Sequence, residues 1–353
     1  MIAWTRANLF SSPGNALLTL FGLALAWTIF APLVDWAILR AVWTGSDRTA
    51  CAVPDAGACW PYIGARLGQI VYGFYDAAER WRVNIVFASG ALGLAWLMLP
   101  GMPSKRLAGV LMLTAFPILS FVLLTGGWFG LPVVPTARWG GFMLTLLVAV
   151  TGVVTSLPIG IALALARRSD LPVIKWAAIV FIEVIRGVPL ITILFMASNM
   201  LPLFLPDGVT FDKLLRALVA VALFSSAYMA EVVRGGLQAI PKGQYEASAA
   251  LGLGYWRTTA LVILPQALRL VIPSIVNTFL GLIKDTTLVS IIGLFDLLGV
   301  IQSGNADPRW ATPNTAFTGY AFVGAIFWTM CFGMSRYSQR LERQLEHGQR
   351  GQR

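Results

Sequence analysis

The sequence predicts an all-α integral membrane protein with about eight transmembrane helices. Of its 353 residues, 57% are hydrophobic and 12% are charged, which leaves too little polar surface to cover a water-soluble fold. Several apolar runs reach the roughly 20 residues that a helix needs to cross a bilayer. Basic residues cluster in the short connections between these runs. Lipid is therefore the expected solvent, in which helices satisfy their own backbone hydrogen bonds.

The predicted spans are the stretches where a window of about 19 residues is strongly apolar. They lie near 16–39, 84–100, 107–125, 139–166, 175–205, 213–233, 265–283 and 314–335. The first run is long for a signal peptide and lacks a clear small-residue cleavage site, so we expect it to be a retained span. An even number of crossings puts both termini on one side.

Lysine and arginine in short connections mark the cytoplasmic side. Four segments carry them: Lys105 and Arg106; Arg167, Arg168 and Lys175; Arg234, Lys242, Arg257 and Arg269; and Arg336, Arg340, Arg343 and Arg350. Because these segments are two crossings apart, both termini are predicted to be cytoplasmic in a bacterial inner membrane. The net charge of +10 is then a sign of topology and not of nucleic-acid binding.

The loop of about 40 residues after the first span is expected outside, because the charge rule weakens with loop length. It contains Cys51 and Cys59, the only cysteines outside an apolar run. In an oxidising compartment the two would form a disulfide. The alternative is a pair of separate thiols, since sequence does not show whether their Cα atoms approach within about 7 Å.

The apolar segment 290–302, SIIGLFDLLGVIQ, is short for a crossing. We expect it to lie in the interface or to re-enter it. An extra span is the alternative, but it would put the arginine-rich tail outside.

The arrangement of predicted spans and loops differs on the two sides of Arg138. Residues 1–137 are predicted to form an accessory membrane region with three spans and the external loop. Residues 138–342 would form the working core, with a long cytoplasmic loop at 240–269, and residues 343–353 a cytoplasmic tail.

The loop at 240–269 has the pattern of two short helices. The first is predicted from about Gln244 to Leu251, with Glu246 in its opening turn, where a carboxylate suits the positive end of the helix dipole. Gly252 and Gly254 would stop it, since glycine permits the left-handed conformation. A second helix would run to Leu264, with Pro265 beginning the next span. Such a helix-turn-helix makes a compact docking surface for another protein.

The spacing in this loop resembles the EAA loop of importer permeases in the ABC transporter superfamily. The matching residues are Glu246, Ala247, Gly252, Leu264 and Pro265. Ser248 and Val262 are mild departures from the alanine and isoleucine of that pattern. The resemblance implies that Glu246 through Gly252 would sit in a cleft of an ATPase and pass its closure to the membrane helices. Ser248, Leu264 and Pro265 would complete the coupling element.

Four further segments narrow the resemblance to permeases for polar amino acids: GGFMLTLLVAVTGVVTSLPIGIALALARRS, FIEVIRGVPLI, AEVVRGGLQAIPKGQYEASAALG and LIKDTTLVSIIG. The leading portion is similar to the longer permease subunit of general L-amino-acid importers of Gram-negative bacteria. The resemblance implies a five-helix type I (MetI-like) core, a second permease subunit as heterodimer partner, an ABC ATPase dimer, and a periplasmic amino-acid-binding protein. It also implies import of polar or general L-amino acids, with ATP used by the partner.

No glycine-rich phosphate loop ending in Lys-Ser/Thr occurs in the sequence, so we expect the chain itself to bind no ATP or other cofactor. Three cysteines and one histidine, His347, show no zinc or haem spacing, so no metal is expected.

Glu183 and Arg186 lie three residues apart on one predicted helix and could neutralise each other near its cytoplasmic end. Gly187 and Pro189 follow and weaken the helix. The pair is either part of a moving gate or a static ion pair that closes the inner end. Contact with substrate is a third interpretation.

Lys284 and Asp285 end the seventh predicted span on its outer side, and Asn277 lies about two turns deeper. A solvated helix end is the simple interpretation. The alternative is an outer vestibule in which the two charges match the carboxylate and ammonium groups of an amino acid.

Two other functional classes remain as alternatives. An ion-coupled secondary transporter would have membrane carboxylates and interrupted helices, but it would need no docking loop for an ATPase. A membrane enzyme is disfavoured, because no span carries clustered acids and the histidine lies in the tail.

Overall fold

The computed structural model describes residues 2–99, 101–206 and 208–350, and the side chains of residues 4–99, 101–206 and 208–343. The α-helices are α1 (Ile2–Asn8), α2 (Pro13–Val34), α3 (Arg48–Cys51), α4 (Trp60–Tyr72), α5 (Arg80–Met98), α6 (Lys105–Leu113), α7 (Ala115–Thr125), α8 (Gly141–Arg167), α9 (Pro172–Gly187), α10 (Leu190–Phe195), α11 (Lys213–Gln238), α12 (Lys242–Ala250), α13 (Tyr255–Arg257), α14 (Leu264–Leu270), α15 (Ile272–Asp285), α16 (Leu297–Gly304) and α17 (Pro313–Arg350). Turns of π or 3-10 helix lie at Asp35–Leu39, Ala77–Glu79, Thr136–Arg138, Met196–Met200, Leu201–Phe204, Thr258–Ile263 and Thr286–Ile292. Of the predicted tail at 343–353, residues 351–353 lie outside the described residues, as does the side chain of His347.

Seven helical segments in the described part of the chain are long and apolar enough to cross a membrane. They are Pro13–Leu39, Ala77–Met98, Lys105–Thr125, Gly141–Arg167, Lys213–Gln238, Ile272–Ile292 and Pro313–Arg343. The bent pair Pro172–Gly187 and Leu190–Phe204 makes an eighth if it counts as one span. The predicted class, an all-α membrane protein with about eight spans, is confirmed.

The fifth predicted span, 175–205, is not one straight helix. The helix axis bends by 103° between its two halves, Pro172–Gly187 and Leu190–Phe204. Val188 between them is extended, with φ −111° and ψ 134°, as expected for a residue before a proline. Pro189 then supplies no N–H to continue the helix. The predicted weak point after Arg186 is therefore a sharp bend.

The seventh span is shifted along the chain relative to its predicted bounds, 265–283. It covers Ile272–Ile292, and its last turn is a 3-10 helix. Gly293 follows in the left-handed conformation at φ 75° and ends the segment. The apolar stretch 290–302 is consequently divided between this turn and α16, and it forms no crossing of its own.

Residues 1–67 and 301–322 form one compact unit. Within it, Cys51 and Cys59 are joined by a disulfide with a Cα–Cα distance of 5.7 Å. Both cysteines are buried. The disulfide therefore closes a small loop between residues separated by eight positions.

The same unit joins the loop after the first span to the start of the last span. The Cys59 amide donates a hydrogen bond to Thr318 Oγ1 at 2.8 Å, and the Arg48 amide donates to the Arg309 carbonyl at 2.8 Å. The rings of Tyr62 and Trp310 lie 6.1 Å apart. These two loops therefore share one side of the membrane.

Residues 68–300 and 323–353 form the second unit, in which α8 and α11 pack closely. Gly152 and Gly160 on α8 permit this approach. A Cβ atom at Gly160 would lie 2.8 Å from Met229 on α11, and one at Gly152 would lie 2.6 Å from Leu282 on α15. These units divide the chain after Leu67, after Val300 and after Phe322, and not at Arg138. The division into an accessory region and a core stays a prediction.

Candidate coupling site

The first helix of the predicted docking loop is α12, which begins at Lys242 and not at Gln244. Pro241 precedes it with φ −59° and ψ 142°, so its fixed φ sets the start of the helix directly after it. Glu246 is therefore the fifth residue of the helix. Its predicted position in the opening turn is wrong, and no acidic residue lies in that turn.

The end of α12 forms as the glycine pattern predicts. Gly252 has φ +71°, the left-handed conformation that other residues adopt with strain. The Leu253 amide donates to the Ser248 carbonyl at 3.1 Å, and the Gly252 amide donates to the Ala249 carbonyl at 2.9 Å. This pair of bonds is the Schellman motif. Gly254 has a different role, since its extended backbone (φ −68°, ψ 164°) caps the next helix.

The second helix is longer than predicted. Helical structure continues from Tyr255 to Leu270 through a π turn at Thr258–Ile263. Pro265 lies inside this segment, in the first turn of α14, and does not begin the next span. Val271, with φ −108° and ψ 10°, and Pro273 in the first turn of α15 interrupt the helix instead. The span that follows starts at Ile272.

The loop has a buried side and an exposed side. Ser248 is buried, and its hydroxyl donates to the Gln244 carbonyl at 2.8 Å. Thr258 and Thr259 of the π turn, on which α12 packs, are also buried. A small residue is therefore required at position 248, which explains why serine replaces alanine there at little cost.

Several apolar side chains lie on the exposed side beside Glu246 and Ala247, which are exposed too. Leu251, Trp256 and Leu261 are 79%, 73% and 70% exposed. Pro265 is exposed and Leu264 is half-buried. An exposed acidic and apolar surface of this kind is suited to binding another protein.

The loop is anchored to the ends of α8 and α11. A core cluster joins Ala164 of α8 and Leu237 of α11 to Ile263 and Ala267 of the loop. Arg168 also donates hydrogen bonds to the Tyr245 hydroxyl at 3.1 Å and to the Leu237 carbonyl at 3.3 Å. The loop therefore contacts the ends of both helices.

Glu183 and Arg186 take different partners, so the predicted pairing between them is wrong. Glu183 pairs with Arg167 at 2.9 Å, and Arg186 lies 3.7 Å from Glu231. The nearer partners come from α8 and α11, because α9 packs against both. Arg186 also lies over the Tyr228 ring at 5.6 Å.

Glu231 is the centre of this network, which sequence reasoning missed. It pairs with Arg167 at 2.8 Å and with Arg234 at 2.6 Å, in addition to Arg186. Of these ion pairs, only the one between Glu231 and Arg234 joins residues that are close in sequence, three positions apart. The arginine that joins three helices, Arg167, was assigned only to the topology pattern.

The second predicted set, Asn277, Lys284 and Asp285, takes no part in the ion pairs around Glu231. Lys284 and Asp285 are the last two residues of α15, and Asn277 lies two turns before them. Their predicted position at the end of the seventh span is wrong, because that span continues through the 3-10 helix to Ile292. Asn277 and Lys284 are exposed, whereas Asp285 is half-buried. In the described part of the chain neither charge has an ion-pair partner within 4.0 Å.

A comparison with known families matches residues 156–347 to the binding-protein-dependent transport system inner membrane component. The match covers more than half of the chain and includes α12, the loop that follows it, and the ion-pair network.

Two relatives match almost the whole chain. The inner membrane amino-acid ABC transporter permease protein YhdY of Escherichia coli is 50% identical over 98% of this chain and 94% of its own length. The glutamate/glutamine/aspartate/asparagine transport system permease protein BztC of Rhodobacter capsulatus is 40% identical over 99% and 94%. A crystal structure of an amino acid ABC transporter with histidines matches with a TM-score of 0.50 and 33% identity, over 58% of this chain and 92% of that chain.

Proposed function

This chain belongs to the family of binding-protein-dependent transport system inner membrane components, and we propose from that premise that the loop Lys242–Leu270 couples ATP hydrolysis in a partner to transport. The chain is a permease of an ATP-driven amino-acid importer, and it is a transport subunit and not an enzyme. Polar amino acids, which the relatives' names mention, are the proposed substrates.

One observation carries the coupling proposal. The loop combines an exposed acidic and apolar side with a rigid attachment to α8 and α11. A partner that pushes on Leu251 and Trp256 therefore moves the spans and does not merely deform the loop. Val262, the mild departure in the motif, is half-buried against the same core cluster.

Permeases of this class work with an ATPase and a substrate-binding protein. The finer assembly that we propose is a heterodimer with a second permease, served by an ATPase dimer and a periplasmic amino-acid-binding protein. ATP is bound by the partner, and this chain holds no cofactor.

The protein lies in the inner membrane and has several spans. We propose that both termini are cytoplasmic, with the loop at 240–269 on the same side. The distribution of basic residues supports this orientation. The contact between the loop carrying Cys59 and the start of α17 supports it as well, because both are predicted to be external.

Five residues are proposed for the path. Glu183 and Arg186 belong to an inner gate, since each pairs with a different neighbouring helix. Lys284 and Asp285, with Asn277 on the same helix, are proposed to meet the carboxylate and ammonium groups of the substrate on the outer side. Among the described residues no oppositely charged group lies within 4.0 Å of Lys284 or Asp285, which supports this role.

Uptake by the complete complex tests the coupling proposal. The chain with its co-purified partners is reconstituted in liposomes with ATP, and entry of labelled amino acid is measured with the binding protein outside. Glu246→Ala and Gly252→Glu should each abolish uptake while the protein stays in the membrane. Lys175→Gln is the matched control, because Lys175 is exposed at the start of α9 and lies outside the loop.

Uptake at the unaltered rate in both loop variants would remove the coupling assignment. Uptake that persists without ATP, or without the ATPase, would favour the ion-coupled class of transporter instead.

A further inference from the structure

A groove of about 500 Å³ lies between α12 and the ends of α8 and α11. Leu237 and Ile240 form an apolar floor at the end of α11, and both are almost completely buried. Arg168 and Lys242 line the groove as cations, together with Tyr245 and the acid Glu246. The groove is therefore apolar inside and mainly basic among its charged residues.

Arg168 is held in this groove by neutral partners. Its Nη1 donates to the Tyr245 hydroxyl at 3.1 Å and to the Leu237 carbonyl at 3.3 Å. The guanidinium carbon lies 5.7 Å from the centre of the Tyr245 ring. These contacts fix the direction of the side chain without neutralising its charge.

Neither cation has a carboxylate within ion-pair distance in the described part of the chain. This contrasts with Arg167, the preceding residue, which pairs with two glutamates. Arg168 and Lys242 thus leave two fixed positive charges available to an anion from outside the chain.

The groove lies at the ends of α8 and α11, where the pattern of basic residues predicts the cytoplasmic surface of the membrane. This step depends on the orientation given in the proposed function. Anionic headgroups are concentrated at that surface, and basic pockets between spans on this side bind them.

We propose that this groove binds the headgroup of an anionic phospholipid of the cytoplasmic leaflet. Arg168 and Lys242 contact the phosphate, and the glycerol and first methylenes lie against Leu237 and Ile240. Because Arg168 follows α8 and Lys242 begins α12, one bound phosphate connects the coupling loop to a span. Anionic lipid then stiffens the path from the loop to the membrane helices.

Lipid retention by the purified chain tests this directly. The chain is extracted from nanodiscs of phosphatidylglycerol and phosphatidylcholine in equal parts, and bound lipid is counted by native mass spectrometry. The unaltered chain should retain phosphatidylglycerol in preference to phosphatidylcholine. Arg168→Gln with Lys242→Gln should lower that retention roughly tenfold or more. Lys105→Gln with Arg106→Gln is the control, since it removes the same charge from another exposed segment of the same predicted side.

Equal retention in the two double variants would overturn the proposal. So would complete displacement of the lipid by millimolar inorganic phosphate, which would make the site one for a free anion. Cross-linking of the ATPase to Lys242→Cys, together with unchanged lipid retention in the Arg168→Gln, Lys242→Gln variant, would assign the groove to an acidic segment of the partner instead.

Retention is measured without the ATPase, so its failure differs from a failure of coupling. The uptake-deficient Gly252→Glu chain should retain phosphatidylglycerol like the unaltered chain. If the complex shows ATP-dependent uptake but the chain retains no phosphatidylglycerol, the lipid site is excluded and the coupling proposal stands.

Discussion

Arg167 Nη1 lies 2.8 Å from Glu231 Oε1 and 2.9 Å from Glu183 Oε1, so one guanidinium joins the ends of three helices. Glu231 in turn accepts from Arg234 at 2.6 Å and lies 3.7 Å from Arg186. A single carboxylate is therefore shared by three arginines. The ends of α8, α9 and α11 are therefore joined by charge as well as by packing.

Replacing Glu231 with glutamine should destabilise the protein. The three arginines would then have only Glu183 as a partner within the network, and their repulsion would be uncompensated. We expect the free energy of unfolding to fall by about 2–4 kcal/mol, as for a partly buried ion pair that loses one member. Thermal unfolding in detergent, followed by circular dichroism, measures the change.

Glu246→Gln is the matched control for Glu231→Gln. Glu246 is exposed and has no ion-pair partner within 4.0 Å among the described residues, so its loss should alter stability by less than about 0.5 kcal/mol. Equal stability of the two variants would mean that the network does not hold the helices together.

Gly252→Ala should loosen the end of α12, whereas Gly254→Ala should not. Open space surrounds both glycines, but only Gly252 has a positive φ, which is unfavourable for alanine by about 1 kcal/mol or more. Amide hydrogen exchange of residues 248–253 should therefore accelerate roughly fivefold in the first variant alone. Gly252→Asn should have a smaller effect, because asparagine tolerates this conformation. Equal exchange in the two alanine variants would exclude strain at Gly252 as the cause.

Two of the three cysteines should be protected from alkylation. Protein denatured in detergent without reductant should take one maleimide tag, at Cys331, which is free in α17. After reduction it should take three tags. The Cys331→Ser variant should take no tag before reduction and two tags after it. Three tags on the unreduced protein would show that Cys51 and Cys59 are separate thiols.

Asp296→Asn should stabilise the protein at neutral pH. Asp296 is fully buried just before α16, and burial raises the pKa of its carboxyl to about 6, although the Gly299 and Leu298 amides donate to it. The folded state therefore binds a proton that the unfolded state, with a pKa near 3.8, releases. Stability from this group rises as pH falls from about 7 to 4, and the charged form is unfavourable by on the order of 3 kcal/mol above pH 7.

The thermal midpoint of Asp296→Asn should thus exceed that of the unaltered protein at pH 7.5, and the difference should vanish near pH 4. Asparagine keeps the oxygen that accepts from the Gly299 amide at 2.9 Å and loses only the longer bond from the Leu298 amide at 3.3 Å, which goes to the other carboxylate oxygen. Asp47 gives a control of opposite sign, since hydrogen bonds from Thr49 lower the pKa of its exposed carboxyl. Asp47→Asn should bring no gain at pH 7.5, and a similar gain in both variants would contradict a burial effect at Asp296.

Local features of the coupling loop could be predicted because they depend on a few neighbouring residues. The turn at Gly252 follows from the tolerance of glycine for positive φ, and the break after Gly187 follows from Pro189. The helix start at Lys242 and the role of Pro265 were predicted wrongly. In both cases proline is compatible with two helix boundaries: Pro241 precedes the first residue of α12, whereas Pro265 lies within the first turn of α14 and the interruption comes at Val271.

The sequence by itself determined the class of protein, the number of apolar segments and the turn that ends α12, because hydropathy, charge distribution and glycine conformation act over one span or less. Tertiary structure alone decided that Glu231 unites three arginines, that Glu183 pairs with Arg167, and that Arg168 and Lys242 share a groove. Those partners are up to 74 residues apart in the sequence, as Arg168 and Lys242 are. The distances between their side chains depend on how α8, α9, α11 and α12 pack. Coulomb attraction selects partners only among the groups that packing has already brought within a few ångströms.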